Sequence, residues 1–386
     1  MARSLLLGAV LLLSQLPLMV QGRAIGDRSA LAKRDILQEH ISVTNLQVNA
    51  GTSGTYPRVT TIGDGSLLMA YTEITGSEHV LHVLRSTDRG QSFTPYGEIA
   101  RGSGDVDNPF LHQVPGSNRI LAAFRNHDRS DDGTYTYFRI SVCASDNGGK
   151  DWQFLSQADE FSAQSSHGLG DWEPFIRDGA DGRLQLTYSK ELAADNQETF
   201  RVLSGDGGAT WSSPVNLQIH SPSEHLRDGM QGIASIRDSD GREALVIVLE
   251  TTRHGTFSVE YAVSYDDGAS YGNRGVVYSP AEGRNAGAPQ IANVEGKGLV
   301  TVFMTDEESA AGQWPNAAKI KASVSPGLNG GQMTWGPPAE VRGENSHWSG
   351  ALDIGGGQVM VVYEYNGSPR GVDLELVVVA CVCLVL

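Results

Sequence analysis

Cysteine and basic residues are both scarce in this chain of 386 residues. The three cysteines, Cys143, Cys381 and Cys383, cannot build a disulfide framework or a four-cysteine metal site, so packing must stabilise the fold. Against 45 aspartates and glutamates there are 29 lysines and arginines, which leaves a formal net charge of -16. Nucleic acids and anionic membranes attract clustered Lys and Arg, so this charge argues against both as partners and favours a neutral substrate.

Helical periodicity is also missing, because no long segment repeats its apolar residues at the spacing of a helix. Glycine, with 46 copies against 15 prolines, indicates many tight turns. With 40% hydrophobic residues, the chain has enough apolar material for a sizeable core. These features favour an all-β fold, and closed all-β architectures hold a chain of this length in one domain.

Residues 1–22 have the layout of a secretory signal, with Arg3 ahead of an apolar stretch and small or polar residues after it. A membrane anchor is the alternative interpretation. Residues 23–34 end in Lys33-Arg34 and resemble a propeptide with a dibasic processing site. We therefore expect a secreted, extracellular protein, a monomer whose mature chain has no integral membrane span.

An apolar tail is predicted at residues 372–386, after a catalytic domain expected at 41–371. Its last ten residues are too few to cross a bilayer as a helix. Three interpretations stay open for them: a buried closing strand, a lipid-anchor signal and an artefact of gene prediction.

A turn motif with the pattern Ser-x-Asp-x-Gly-x-x-aromatic recurs about every sixty residues. We expect each copy to be a hairpin turn in which Asp caps backbone N–H groups and Gly takes a positive φ. Its aromatic residue is expected to pack beneath the next blade of a propeller. These turns resemble the Asp-box repeats of sialidase-type proteins. The copies begin at Ser86, Ser145, Ser204 and Ser264, the second with Asn147 in place of Asp.

An apolar strand after a turn recurs with the same period. Several short strands in each repeat predict four-stranded blades around a channel, and six copies predict a six-bladed β-propeller. The copies are 64–71, 118–124, 181–188, 242–249, 298–303 and 358–363.

Aligning the repeats places one residue of each innermost strand at the channel. Four of these residues precede proline, which is expected to hold them extended. Because the second strand of each blade is antiparallel to the first, its end returns to the same face, so carboxylates and cations gather around one pit. The aligned residues are Tyr56, Asn108, Glu173, Gly232, Ala288 and Trp348.

Glu173 and Glu250 are the candidate catalytic pair, because glycoside hydrolysis requires two carboxyl groups. Glu173 lies between Trp172 and Pro174, apolar neighbours that would raise its pKa. Glu250 ends an apolar strand, where a charge is costly unless it has a role. Taken singly, each glutamate could instead mark a strand end or pair with an arginine.

The predicted contacts to the substrate come from the same face. Arg58, Arg125, Arg227 and Arg253 could hold substrate hydroxyls or make ordinary ion pairs. The histidines lack metal-ligand spacing, so neither a metal nor a cofactor is expected. The candidate substrate-binding residues are Tyr56, Arg58, Asn108, Asn126, Trp172, Arg253 and Trp348.

Six runs of this sequence are specific enough to compare with known families: 51–59, 120–128, 172–175, 226–230, 249–253 and 284–290. They resemble the fungal exo-1,5-α-L-arabinanases of glycoside hydrolase family 93. The resemblance implies a six-bladed propeller and a retaining enzyme that releases arabinobiose from the non-reducing end of linear arabinan. It also implies that Glu173 is the nucleophile and Glu250 the acid/base residue. The local residues leave this order open, because Arg253 could lower the pKa of Glu250 and Trp172 could raise that of Glu173. The sequence departs from the family after Asn345, where Trp348 or Tyr363 is expected to supply an aromatic partner.

Two other functions remain open. A sialidase shares the Asp boxes but must neutralise a substrate carboxylate, and the arginines available for this are Arg58, Arg227 and Arg284. A non-catalytic carbohydrate-binding propeller is the third possibility, since Asp boxes are structural elements and prove no activity.

Overall fold

A computed structural model describes residues 41–46, 53–309 and 313–376 of the chain. Its regular elements within these ranges are all β-strands, and none of the described segments is a helix long and apolar enough to cross a membrane. The predicted signal (1–22) and propeptide (23–34), and residues 377–386 of the tail, lie outside the described ranges.

Six antiparallel four-stranded sheets form the blades, which confirms the predicted six-bladed propeller. In every blade the innermost strand lines the channel and the fourth strand lies outermost. From the channel outwards, blade 1 is β2 (Thr55–Thr61), β3 (Leu67–Thr75), β4 (Glu78–Ser86) and β5 (Thr94–Gly102); blade 2 is β6 (Asp105–Gln113), β7 (Ile120–Arg129), β8 (Tyr135–Ser145) and β9 (Gln153–Ser162); blade 3 is β10 (Asp171–Asp178), β11 (Leu184–Ala193), β12 (Asn196–Ser204) and β13 (Val215–Asn216).

The remaining blades follow the same plan, except that a small hairpin interrupts the fifth and the start of the described chain completes the sixth. Blade 4 is β14 (Gly229–Arg237), β15 (Glu243–His254), β16 (Thr256–Ser264) and β17 (Gly272–Tyr278); blade 5 is β18 (Ala286–Val294), β19 (Gly298–Thr305), β20 (Lys319–Ser325) and β23 (Ala339–Arg342), with the hairpin β21 (Leu328–Asn329) and β22 (Gln332–Met333); blade 6 is β24 (Ser346–Gly355), β25 (Gln358–Tyr365), β26 (Ser368–Leu376) and β1 (Ile41–Leu46).

The ring is closed by pairing β1, the first strand, with β26, the last. Ile41 pairs with Leu376 and Leu46 with Gly371, so all six residues of β1 extend blade 6. Val372 and Leu374 of β26 are fully buried in the core. Residues 372–376 therefore belong to the propeller, which extends beyond the predicted limit at residue 371.

The Ser-x-Asp-x-Gly turns join the third and fourth strands of blades 1 to 4 with one shared geometry. In the first turn Ser86 Oγ donates to Asp88 Oδ1 at 2.7 Å and accepts from the N–H of Gly90, whose φ is 87°. Asp88 Oδ1 also accepts from the N–H of Ser92 at 3.0 Å. The turn chemistry is as predicted.

The aromatic residue of each turn packs on the preceding blade, so the prediction that it packs on the next blade is wrong. Phe93 of blade 1 contacts the cluster that contains Met360 of blade 6. Trp211 of blade 3 donates its indole N–H to Ser156 Oγ of blade 2 at 3.0 Å. Each aromatic ring lies on the side of its own sheet that faces the preceding blade, opposite to the side that was predicted.

The core lies between neighbouring blades. Val300 and Val302 of blade 5, for example, pack with Val359 and Val361 of blade 6, and all four are fully buried. Burying each such side chain contributes roughly 1.5–3 kcal/mol. These contacts between sheets fix the angle at which each innermost strand enters the channel.

Candidate active site

Every innermost strand carries a β-bulge at the same level of the channel. In blade 3 the register shifts between Trp172 and Phe175, so Glu173 and Pro174 together oppose Tyr188. The equivalent bulges shift the register of the other five blades at the same point. Bulges of this kind redirect a side chain and are frequent next to active sites.

The first residue of each bulge has a left-handed backbone, with φ between 46° and 55°. The prediction of an extended conformation at these positions is therefore wrong. The aligned residue in blade 4 is Met230, and Gly232 lies two positions further along the strand. Such backbone costs about 1–3 kcal/mol per residue and is retained mainly at functional sites. The ring of bulge residues is Tyr56, Asn108, Glu173, Met230, Ala288 and Trp348.

Glu250 lies on β15 opposite Gly229, and its carboxylate reaches across to blade 5. Its Oε2 accepts a hydrogen bond at 2.8 Å from the backbone N–H of Ala288, the bulge residue of that blade. Burial raises the pKa of Glu250 to about 7, and the charge of Glu173 adds to this rise, while the Ala288 N–H and Arg227 oppose it. The two predicted glutamates are thus close enough to affect each other electrostatically.

Gly287 makes room for the Glu250 carboxylate. A Cβ at this position would lie 2.4 Å from Glu250 Oε2, far inside van der Waals contact. The φ of Gly287 is not positive, so space rather than backbone conformation requires glycine at this position.

Glu173 is the bulge residue of blade 3. Burial raises its pKa, and the charge of Arg125 and a hydrogen bond from the backbone of Met230 oppose the rise. Its Oε2 is buried and has no hydrogen-bond partner among the described residues. Its backbone carbonyl accepts from Gln231 Nε2 at 2.7 Å, and Gln231 in turn accepts from Ser189 Oγ at 2.8 Å. The backbone is therefore fixed, while one carboxylate oxygen is left for a ligand.

Aromatic rings and arginines line the pit. Tyr56 stacks on Trp348 with ring centroids 4.7 Å apart. The Arg125 guanidinium lies 5.6 Å from the Tyr56 ring and 5.3 Å from the Trp172 ring. Arg58, only 5% exposed, donates to the carbonyl of Trp348 at 3.0 Å. The structure thus brings these predicted residues together, and Trp348 supplies the aromatic ring expected of the last blade.

Two hydrogen-bond donors, one in the ring of bulge residues and one next to it in sequence, have no partner in the described part of the chain. These are the buried Asn108 Nδ2 and Trp172 Nε1. Buried polar groups are nearly always hydrogen-bonded, so orphaned donors at a pit indicate groups reserved for a ligand. Both residues belong to the predicted substrate-binding set.

Asn126 and Arg253, also predicted to bind substrate, make contacts elsewhere. Asn126 donates to Ser141 Oγ at 3.0 Å within its own blade. Arg253 pairs with Glu224 at 2.5 Å and with Glu260 at 3.4 Å. Both are therefore engaged in structural contacts. Arg253 is also not among the main influences on the pKa of Glu250, which the sequence suggested it could lower, whereas Arg227 is. Successive side chains of a strand point to opposite sides, so Asn126 points away from the ring of bulge residues because its neighbour Arg125 points towards it.

Trp314 is a site residue that sequence analysis does not find, and Arg125 is one that it considers among four arginines but leaves out of the final substrate-binding set. Trp314 lies in the connection between β19 and β20, and two of its ring carbons lie 3.2 and 3.3 Å from the point that a Cβ of Gly287 would occupy. This connection has no counterpart in the repeat, so alignment of the blades cannot locate it. Arg125 lies near the end of β7 at the level of the ring, a position that the repeat does mark.

One cluster of possible metal ligands occurs among the described residues, formed by His79, Asp105 and Asp107, whose ligand atoms lie within 4.8 Å of one another. Arg125 contacts both carboxylates, at 3.2 and 2.8 Å, and Tyr135 donates to Asp105 at 2.8 Å. The guanidinium groups of Arg125 and Arg129, the latter 3.5 Å from Asp105, already balance these two negative charges.

Comparison with known proteins gives matches of fold. The chain is similar to the family 93 α-L-arabinofuranosidase of Fusarium graminearum in complex with arabinobiose, with 17% identity, a TM-score of 0.63 and coverage of 88% of this chain and 98% of that one. It is also similar to the Penicillium chrysogenum α-L-arabinanase complexed with arabinobiose, with 16% identity, a TM-score of 0.59 and coverage of 87% and 98%.

A sialidase from Streptococcus pneumoniae matches with 11% identity and a TM-score of 0.57, over 87% of this chain and 70% of that one. The protein has the fold of these glycoside hydrolases. The resemblance to family 93 is thereby supported at the level of the fold. No family model matches the sequence, and no curated protein does.

Proposed function

We propose that this protein is a secreted, retaining exo-1,5-α-L-arabinanase that releases arabinobiose from the non-reducing end of linear arabinan. The observation that carries the proposal is the pair Glu173 and Glu250, which converge from neighbouring blades on one pit and both have a raised pKa. Glycoside hydrolysis with retention needs two such carboxyl groups, one as nucleophile and one as acid/base.

The electrostatics favour Glu250 as the acid/base residue. With a pKa of about 7 it is protonated in a large fraction of molecules near neutral pH, as a general acid must be. Glu173 lies near the Arg125 guanidinium, which favours its ionised, nucleophilic form. This assignment agrees with the roles that the family resemblance implies.

The proposed reaction has two steps. The Glu173 carboxylate attacks the anomeric carbon, the glycosidic bond breaks, and the leaving oxygen takes the Glu250 proton. Water then attacks the same carbon, gives its proton to Glu250 and releases Glu173. In the free enzyme the negative charge of Glu173 raises the pKa of Glu250. Esterification of Glu173 removes that charge, so the pKa of Glu250 falls in the intermediate, where Glu250 must act as a base.

The surroundings of the pair suit a neutral sugar. Arg125 is neutralised by Asp105 and Asp107, and Arg227 pairs with Glu191 at 3.0 Å. The orphaned donors of Asn108 and Trp172 can bind sugar hydroxyls. Of the arginines nominated for a sialidase, Arg227 is thus occupied, which weighs against recognition of a substrate carboxylate.

The test is product analysis with two substrates. The secreted protein is incubated with linear 1,5-arabinan and, separately, with a sialoside, and the products are separated by chromatography. Arabinobiose as the product from arabinan is expected, and Glu173→Gln and Glu250→Gln should each abolish its release while the fold remains intact. Free sialic acid would instead support a sialidase, and no product from either substrate would support a binding propeller.

A further inference from the structure

Trp314 lies close to the carboxylate of Glu250, because both groups approach Gly287. The indole ring and Glu250 Oε2 both approach the point that a Cβ of Gly287 would occupy, at 3.2 and 2.4 Å. Trp314 is only half-buried, although it packs at the edge of the apolar cluster between blades 5 and 6. A partly exposed indole therefore flanks one side of the pit.

Phe257 continues this aromatic surface. Its ring centroid lies 6.3 Å from that of Trp314, with an angle of 37° between the planes. Phe257 is the second residue of β16, and its backbone N–H donates to Asn285 Oδ1 at 3.2 Å. Like Trp314, it is half-buried. These two residues, the rim pair, come from blades 4 and 5, whereas the stacked Tyr56 and Trp348 belong to blades 1 and 6.

A cavity of about 310 Å³ lies next to Phe257, lined by residues 254–256, Ser258 and residues 279–283. Ser258 Oγ is buried, and no residue in the described ranges hydrogen-bonds to it. The cavity thus combines open space with an unsatisfied polar group, which is what a site for a hydroxylated ligand needs.

The position of the general acid determines which part of the substrate lies beside it. Glu250 must contact the glycosidic oxygen, and that oxygen joins the released disaccharide to the rest of the chain. The first sugar of the leaving chain is therefore on the Glu250 side of the pit. Aromatic side chains offer a large apolar surface for the C–H face of such a sugar.

We propose that the rim pair binds the first arabinose unit of the leaving chain and that the cavity lined by Ser258 receives the next one. The inference rests on the proposed arabinanase function and adds to it a binding path for the polymer beyond the scissile bond. A chain held along this path aligns its glycosidic oxygen with Glu250.

The test compares linear arabinan with methyl α-1,5-arabinobioside, in which the leaving group is methanol and cannot reach the rim pair. In Trp314→Ala, kcat/KM on arabinan should fall at least tenfold more than kcat/KM on the methyl glycoside, and Trp314→Phe should restore much of the loss. Ser258→Ala should slow arabinotetraose, which places two sugars beyond the bond, more than arabinotriose, which places one. Phe154→Ala, a change at a ring that is 61% exposed on the outer strand β9, is the control and should affect none of these substrates.

Equal losses on arabinan and the methyl glycoside would show that Trp314 only positions Glu250, and no loss on either would show that the leaving chain lies elsewhere. Both results would overturn the inference and leave the arabinanase function intact. An unmodified protein that cleaves neither substrate would refute the proposed function itself.

Discussion

Substitution of Gly287 by alanine is expected to impair catalysis while leaving the fold unchanged. The added Cβ would lie 2.4 Å from Glu250 Oε2, whereas an ordinary contact begins at 3.4 Å, so the carboxylate must move by about 1 Å. Moving it also weakens the 2.8 Å hydrogen bond from the Ala288 N–H. The next nearest atoms belong to the Trp314 ring, at 3.2 and 3.3 Å.

The size of the effect follows from the cost of misplacing a catalytic group. A displacement of about 1 Å can lower the rate about 100-fold, which corresponds to roughly 2.7 kcal/mol of transition-state stabilisation. Stability should change little, because the residue has no positive φ and the atoms in the way belong to side chains. Where the backbone permits it, Gly→Ala even stabilises a protein by about 0.4–1 kcal/mol.

The assay measures kcat/KM on linear arabinan as a function of pH, together with thermal unfolding. Since the Ala288 N–H lowers the pKa of Glu250, its weakening should also move the alkaline limb of the pH profile to higher pH. Gly272→Ala is the matched control, because a Cβ there would meet no described atom within 4 Å. Full activity of Gly287→Ala, or a loss explained by a large fall in Tm, would refute the reasoning.

Three further predictions follow from the charges and turns. Glu173→Gln removes a charge that raises the pKa of Glu250, so the pKa of Glu250, measured by NMR of labelled glutamate, should fall. An unchanged pKa would show that the two carboxylates do not interact electrostatically. Glu198 is 3% exposed and burial raises its pKa to about 7, so the folded protein loses stability as this group ionises between pH 4.5 and 7. Glu198→Gln should therefore raise the free energy of unfolding by up to about 3 kcal/mol at pH 8 and leave it unchanged at pH 4. Equal effects at the two pH values would contradict this reasoning. Asp206→Ala removes hydrogen bonds to Thr210 and Ser204, and urea unfolding should show a loss of about 1–3 kcal/mol with activity retained in the folded protein.

The repeat explains why much of the site can be predicted from the sequence. Because every blade repeats the same strand order, aligning turns and apolar strands also aligns the positions that meet at the channel, and this alignment locates Glu173 and Glu250. The alignment is wrong by two residues in blade 4, where Met230 occupies the bulge and no proline follows it, as one does in four other blades. Hydrophobic pattern alone does not fix a register to within two residues.

Features outside the repeat cannot be predicted in this way. Trp314 lies in a connection without an equivalent in the other blades, and only the folded chain shows that its ring and the Glu250 carboxylate both approach Gly287. Arg253 pairs with Glu224, which is distant in sequence, and with Glu260 on the neighbouring strand β16. Because Arg253 follows Glu250 closely in the sequence, sequence analysis pairs it with Glu250 instead. Strand β1 completes the last blade by pairing with β26, which lies at the other end of the propeller in the sequence.

The ring of six bulges lets the residues that line the pit differ while the blades that hold them keep the same fold. Each bulge directs one side chain to the same centre from a backbone that its own blade holds in place, so the six positions can vary independently. Two of them, Met230 and Ala288, carry side chains without charge or hydrogen-bonding groups. Asparagine tolerates a left-handed backbone, as Asn108 already shows at the equivalent position. New substrate specificity can therefore be introduced one blade at a time, as an exchange of single residues around a constant frame.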